Sequence, residues 1–94
     1  MNEKSKTEAL VILQEECAEV IQAISKIHRF GINSISPIHP YESNKTLLHK
    51  EVGDLLCMIV LCIENGILEE SIVNEYIEKK REKLKTWSNI KIKD

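Results

Sequence analysis

Residues that break helices are scarce in this chain, with three glycines and two prolines among 94 residues. Both prolines and one glycine fall together in "GINSISPIHPYES", residues 31–43, so the breakers mark a single loop and leave the flanking segments free to be regular. Period-two alternation, which a half-buried strand requires, is missing, as are internal repeats and low-complexity tracts. Neither sign of charge dominates, since 13 Lys and Arg stand against 15 Asp and Glu for a formal net charge of −2. A positive charge so weak and scattered excludes electrostatic capture of nucleic acid or of an acidic membrane. Cys17, Cys57 and Cys62 are odd in number, lie within apolar runs and form no Cys-x-x-Cys or His/Cys pattern, which argues against a disulfide framework and against zinc. The longest apolar run, Leu55 to Ile63, falls far short of the roughly 20 residues that span a bilayer. Near the N-terminus, Gln14 and the glutamates after it interrupt the apolar residues before an export segment can form. The expected setting is reduced, cytoplasmic and free of membrane.

What is present is helical periodicity in three segments. From about Thr7 to Phe30, a turn of about 100° per residue gathers Leu10, Leu13, Cys17, Val20, Ile21, Ile24 and Ile27 on one apolar face. A second helix is expected over Lys45 to Asn65, with Asn44 as its N-cap and Asn65-Gly66 as its terminator. It is apolar nearly all the way round and must be covered on every side. The third, from about Glu69 to Trp87, carries Val73, Tyr76, Ile77, Leu84 and Trp87 on one stripe, and the short polar tail beyond it is expected to fray. Together these read as one all-α domain over residues 1–94, a helical bundle of three main helices. Two amphipathic helices in so small a chain cannot cover the central one. Homodimerisation through the second helix is therefore expected to complete the bundle, with further pairing to a tetramer left open. Gly53 is expected to mark a close approach by another backbone or a ligand, since a helical glycine costs about 1 kcal/mol relative to alanine.

The carboxylates are the anomaly. In "LQEECAEVIQ", Glu16 falls between Ile12, Ala23 and Ile27 inside the apolar arc, Glu19 at its edge and Glu15 one step further round. On the second helix Glu51 falls between Met58 and Cys62, and Asp54 between Leu47 and Leu61. Each helix thus presents an acidic pair three residues apart, close enough to close on one object. Crowded interior carboxylates raise one another's pKa and cost several kcal/mol each unless a cation offsets them, and no basic residue shares these faces. The lack of His and Cys in the pattern points to a hard ion, Mg²⁺ or Mn²⁺. Glu15 alone is equally well explained as solvated helix face. His28, His39 and His49 have no spacing that joins an acidic pair and are read as surface or cap residues, while the three cysteines and Met58 are read as core.

"EECAE" followed after a loop by "EVGD" resembles the E-E-x-x-E and E-x-x-D pattern of the MazG-like all-α nucleoside triphosphate pyrophosphohydrolases. "SKIHRFG", the proline-containing loop and "EKKREKLKTW" resemble the small single-domain members from bacteria and phages, and the likeness runs from about residue 7 to 88. The resemblance implies that Glu16, Glu19, Glu51 and Asp54 are Mg²⁺ ligands and that Glu15 adds a ligand or orients the attacking water. It also implies hydrolysis of a nucleoside triphosphate to the monophosphate and pyrophosphate. No base-contacting motif can be transferred. A non-catalytic helical dimerisation or regulatory module is the alternative, against which the interior acids weigh. A di-iron carboxylate protein is disfavoured because neither Glu19 nor Glu51 has a His three residues on. On the third helix, Lys80 interrupts the apolar stripe with Lys83 beside it. Either the stem snorkels along the core, or Lys80, assisted by Lys83, reaches the triphosphate opposite the metal.

Overall fold

The computed structural model describes residues 2–38 and 41–94, and the surface position expected for His39 lies outside the described residues. The chain is all-helical, with α1 over Glu3–Phe30, α2 over Asn44–Glu64 and α3 over Glu70–Trp87. No strand forms among the described residues, and the only extended pairing there is one antiparallel bridge, Ile35 with Ser43, that closes the loop between α1 and α2. Among the described residues no helix is long and apolar enough to cross a membrane.

Local chemistry sets the ends of the helices. α1 starts four residues before the expected Thr7, because the Asn2 side chain accepts from Ser5 N–H at 2.8 Å and caps the free first turn. α2 is capped by Ser43 rather than Asn44: the Ser43 hydroxyl accepts from Thr46 N–H at 3.2 Å. Asn44 instead turns inward, only 3% exposed, and its Nδ2 donates to the Gly31 carbonyl at 3.0 Å. Asn44 N–H donates to the Ser34 carbonyl and Lys45 N–H to that of Ile32. The loop is thereby tied to the start of α2 by three hydrogen bonds. At the far end Gly66, with φ +76°, takes the left-handed conformation that a residue with a Cβ resists. The C-terminal tail turns back along α3, where Arg81 donates to the Lys93 carbonyl and Lys85 pairs with Asp94 at 2.6 Å.

α1 and α2 lie antiparallel, Lys26 beside Asn44 and Glu16 beside Asp54, and they supply nearly all the packing between elements. Their shared seam follows alternating steps of three and four residues, the spacing by which paired helices interlock. It runs through Ala9, Leu13, Glu16, Val20, Ala23 and Ile27 on α1, and through Asn44, Leu48, Glu51, Leu55, Met58 and Cys62 on α2. The apolar face expected for α1 is therefore rotated. Small side chains, Ala9 and Ala23, sit in the contact because they let the helices approach, whereas Leu10, Ile21 and Ile24 face outwards. Of the cysteines expected in the core, Cys62 is fully buried while Cys17 and Cys57 are exposed. Among the described residues Gly53 meets no close neighbour outside its own helix backbone, since a Cβ there would find nothing within 4 Å.

α3 makes no more than marginal contact with α1 or α2, so the three helices do not close into a bundle within one chain. The radius of gyration is 16.3 Å, against about 12 Å for a compact domain of this length. The accessible surface is 7586 Å², whereas a compact monomer of this size exposes about 5,500 Å². A single layer of helices 16 Å deep leaves apolar side chains uncovered, among them Leu56 at 53%, Val60 at 50% and Trp87 at 82%.

Candidate metal centre

The antiparallel seam carries Glu16 and Glu51 to one level of the helix pair, and Asp54, one turn beyond Glu51, joins them from the seam's edge. One carboxylate oxygen from each of Glu16, Glu51 and Asp54 lies within 4.8 Å of the others. Glu16 and Glu51 are half-buried and Asp54 is exposed. The interior position expected from the sequence is thus realised only partly, since one layer of helices has nothing above it to enclose the cluster. Glu15 and Glu19 are exposed on the same stretch of α1.

Glu16 senses the other four acids. The Glu16 carboxyl is held above its ordinary value of 4.5, first by partial burial, then by Asp54, Glu51, Glu19 and Glu15. Among the described residues none of Glu16, Glu51 and Asp54 takes part in a salt bridge. An all-oxygen donor set from two rigid helices, crowded and uncompensated, fits a hard divalent cation and offers no soft ligand that would favour zinc.

Beside the cluster lies a cavity of about 280 Å³, lined by Glu19 and Glu51 together with Gln22, Lys26, Asn44 and Lys50. Lys50 also pairs with Glu42 of the loop, while Lys26 forms no salt bridge among the described residues. The sequence reading did not select Lys26 or Lys50. A signal for Lys26 was available, because it lies seven residues after Glu19, two turns along the same face. Lys50 gave no such sign, being the immediate neighbour of Glu51, a spacing that on a helix turns side chains apart.

Lys80 and Lys83, by contrast, are not brought to the acids by their own chain. Lys80 borders an open apolar hollow on α3 with Ile72, Val73, Tyr76 and Ile77, and Lys83 is exposed. The imidazole of His49 donates to the Lys45 carbonyl at 2.9 Å on the surface of α2.

An all-helical chain with a carboxylate cluster suited to a hard cation is the class that fold and site define. The chain belongs to the family of the MazG nucleotide pyrophosphohydrolase domain, whose model matches residues 4–87. No curated protein and no solved structure matches it.

Proposed function

We propose that this chain hydrolyses a nucleoside triphosphate to the monophosphate and pyrophosphate with Mg²⁺, or Mn²⁺, held by Glu16, Glu51 and Asp54 and by the adjacent Glu19. The observation that carries this reading is the convergence of three carboxylate oxygens within 4.8 Å from two helices, in a chain of a pyrophosphohydrolase family. A cation held there would supply positive charge against the negative charge developing on the phosphates and would lower the pKa of a bound water. Glu15, exposed one residue before Glu16, accepts the proton that the attacking water loses. The water oxygen bonds to one of the two phosphorus atoms of the α–β anhydride as that atom's bond to the bridging oxygen breaks, and the bridging oxygen leaves with the electron pair on the other product, so that monophosphate and pyrophosphate result. Lys26 and Lys50, which line the cavity beside the acids, offset phosphate charge that the acids would repel.

The chain acts as a homodimer in this reading. An excess of roughly 2,000 Å² over the surface of a compact monomer, much of it apolar on α2 and α3, is the scale of what an obligate partner buries. A helical module without chemistry would share that surface but has no use for the acids on the seam.

Pyrophosphate release from a panel of canonical and modified ribo- and deoxyribonucleoside triphosphates tests the activity. Release with Mg²⁺ or Mn²⁺, suppressed by EDTA, is expected, and no release from any member of the panel overturns the proposal. The lysines are compared in the same assay. Lys26→Met and Lys50→Met are each expected to lower kcat/KM by about tenfold or more, the scale of a lost charge-assisted hydrogen bond. Loss confined to Lys80→Met and Lys83→Met would instead assign the phosphates to α3 of a second copy.

A further inference from the structure

A second cavity, of about 300 Å³, opens where the end of α1 meets the loop. Its walls are unlike those of the first. Phe30, Ile35, Pro37 and Ile38 make them largely apolar, and Lys26 and Asn44 line both cavities, so the two adjoin across these side chains. From the acids outwards the surface thus runs from carboxylate, through a polar stretch containing the Lys26 ammonium, to an apolar hollow with an aromatic ring. We propose that this hollow receives the nucleobase of the substrate, the triphosphate lying towards the acids. This rests on the hydrolase reading above and adds a site to it.

Several features support that occupant. The hollow is preformed, because the bridge between Ile35 and Ser43 and the bonds from Asn44 and Lys45 to the 31–34 segment hold the loop against α2. Its volume is at the lower end of ordinary ligand sites, the size class for a small planar group rather than a peptide. Its aromatic ring is already polarised: the Arg29 guanidinium carbon stands 4.8 Å from the Phe30 centroid, leaving the ring's remaining surface for stacking. Asn44 adds a hydrogen-bonding group at the boundary. Its Nδ2 donates one hydrogen to the Gly31 carbonyl, so its second N–H and its carbonyl oxygen remain, a donor and an acceptor for the polar edge of a base or for a sugar hydroxyl. Within one chain Phe30 and Ile38 are 59% and 83% exposed, apolar surface that a base seated in the hollow would cover.

The test separates the base from the phosphates. Phe30→Ala and Ile38→Ala truncate exposed side chains and leave the α1–α2 seam intact. Each is expected to raise KM for the preferred triphosphate, Phe30→Ala by about tenfold or more, the scale of a lost base–aromatic stack. Inhibition by inorganic tripolyphosphate, which has no base, should stay unchanged. In parallel, adenosine, guanosine, cytidine, uridine and thymidine are titrated into the metal-free wild-type protein while the isoleucine methyl resonances are followed. Shifts at Ile35 and Ile38 from at least one nucleoside are expected. If the wild type hydrolyses triphosphates but neither variant changes KM, or nucleosides shift only methyls elsewhere, the base lies elsewhere and the inference is overturned. If no triphosphate is hydrolysed, the hydrolase reading fails by itself, and the nucleoside titration still decides whether the hollow binds a base.

Discussion

Glu16→Gln is expected to abolish pyrophosphate release, by at least about a hundredfold given what even indirect disturbance of metal ligands costs, while making the metal-free protein more stable. The two effects have one cause. Glu16 occupies the seam between α1 and α2, where its charge is partly desolvated and faces Asp54, Glu51, Glu19 and Glu15, so its pKa is raised. For a carboxyl whose folded value lies above its unfolded one, the folded chain binds the proton more tightly than the unfolded chain does. The stability this contributes is present below the unfolded value and is lost as pH rises through the raised folded value. At about pH 8 the charged glutamate therefore works against the metal-free fold, whereas well below its ordinary value of 4.5 it is protonated and does not. Glutamine keeps the shape and removes the charge. In EDTA, Tm should rise by a few degrees at the higher pH and change little at the lower. Saturating Mg²⁺ should reverse the order, stabilising the wild type more than the variant, because only an intact ligand set gains the full binding energy. Near-normal turnover by Glu16→Gln, or an unchanged Tm in EDTA across this range, would remove Glu16 from the site.

The second large effect concerns assembly. Sedimentation at micromolar concentration is expected to find a dimer, and Val60→Glu is expected to dissociate it and abolish cooperative unfolding. Val60 is half exposed on the outer face of α2, away from the seam, with Leu56 one turn before it. Within one chain a side chain at this position keeps half its surface in water, where a glutamate can hold its charge. In an obligate dimer it is buried without a partner, at a cost of several kcal/mol, and such chains commonly have no folded monomer. A stable, folded monomer of the wild type, or a Val60→Glu protein that keeps the wild-type mass and Tm, would refute an interface on this face.

Helix positions were legible in the sequence because they depend on local chemistry. The gap from residue 31 to 43, the terminator at Gly66 and the end at Trp87 follow from where glycine, proline and apolar periodicity occur. So did the residues of the acidic pairs, since a spacing of three on a helix needs no knowledge of what packs against it. Boundaries failed where two residues competed for one role. Ser43 and Asn44 are both good caps, and only the Gly31 carbonyl, brought within 3.0 Å by the turn of the loop, draws Asn44 away.

The direction of each face was decided by the tertiary structure. Periodicity measured the apolar arc of α1 but favoured its large residues. Close approach of two helices selects small ones, so the seam runs through Ala9, Glu16 and Ala23 and turns Ile21 and Ile24 outwards. That rotation is what sets Glu16 opposite α2 and closes it with Glu51 and Asp54 to within 4.8 Å. It also brings Lys26 and Lys50 beside the acids while α3 carries Lys80 and Lys83 away from them. By itself the sequence determined which residues are helical and which acids are paired, because these depend on neighbours a few positions away. Which acids meet, which lysines join them and which apolar faces remain bare depended on contacts between segments tens of residues apart, and only the packing of α1 on α2 decides those.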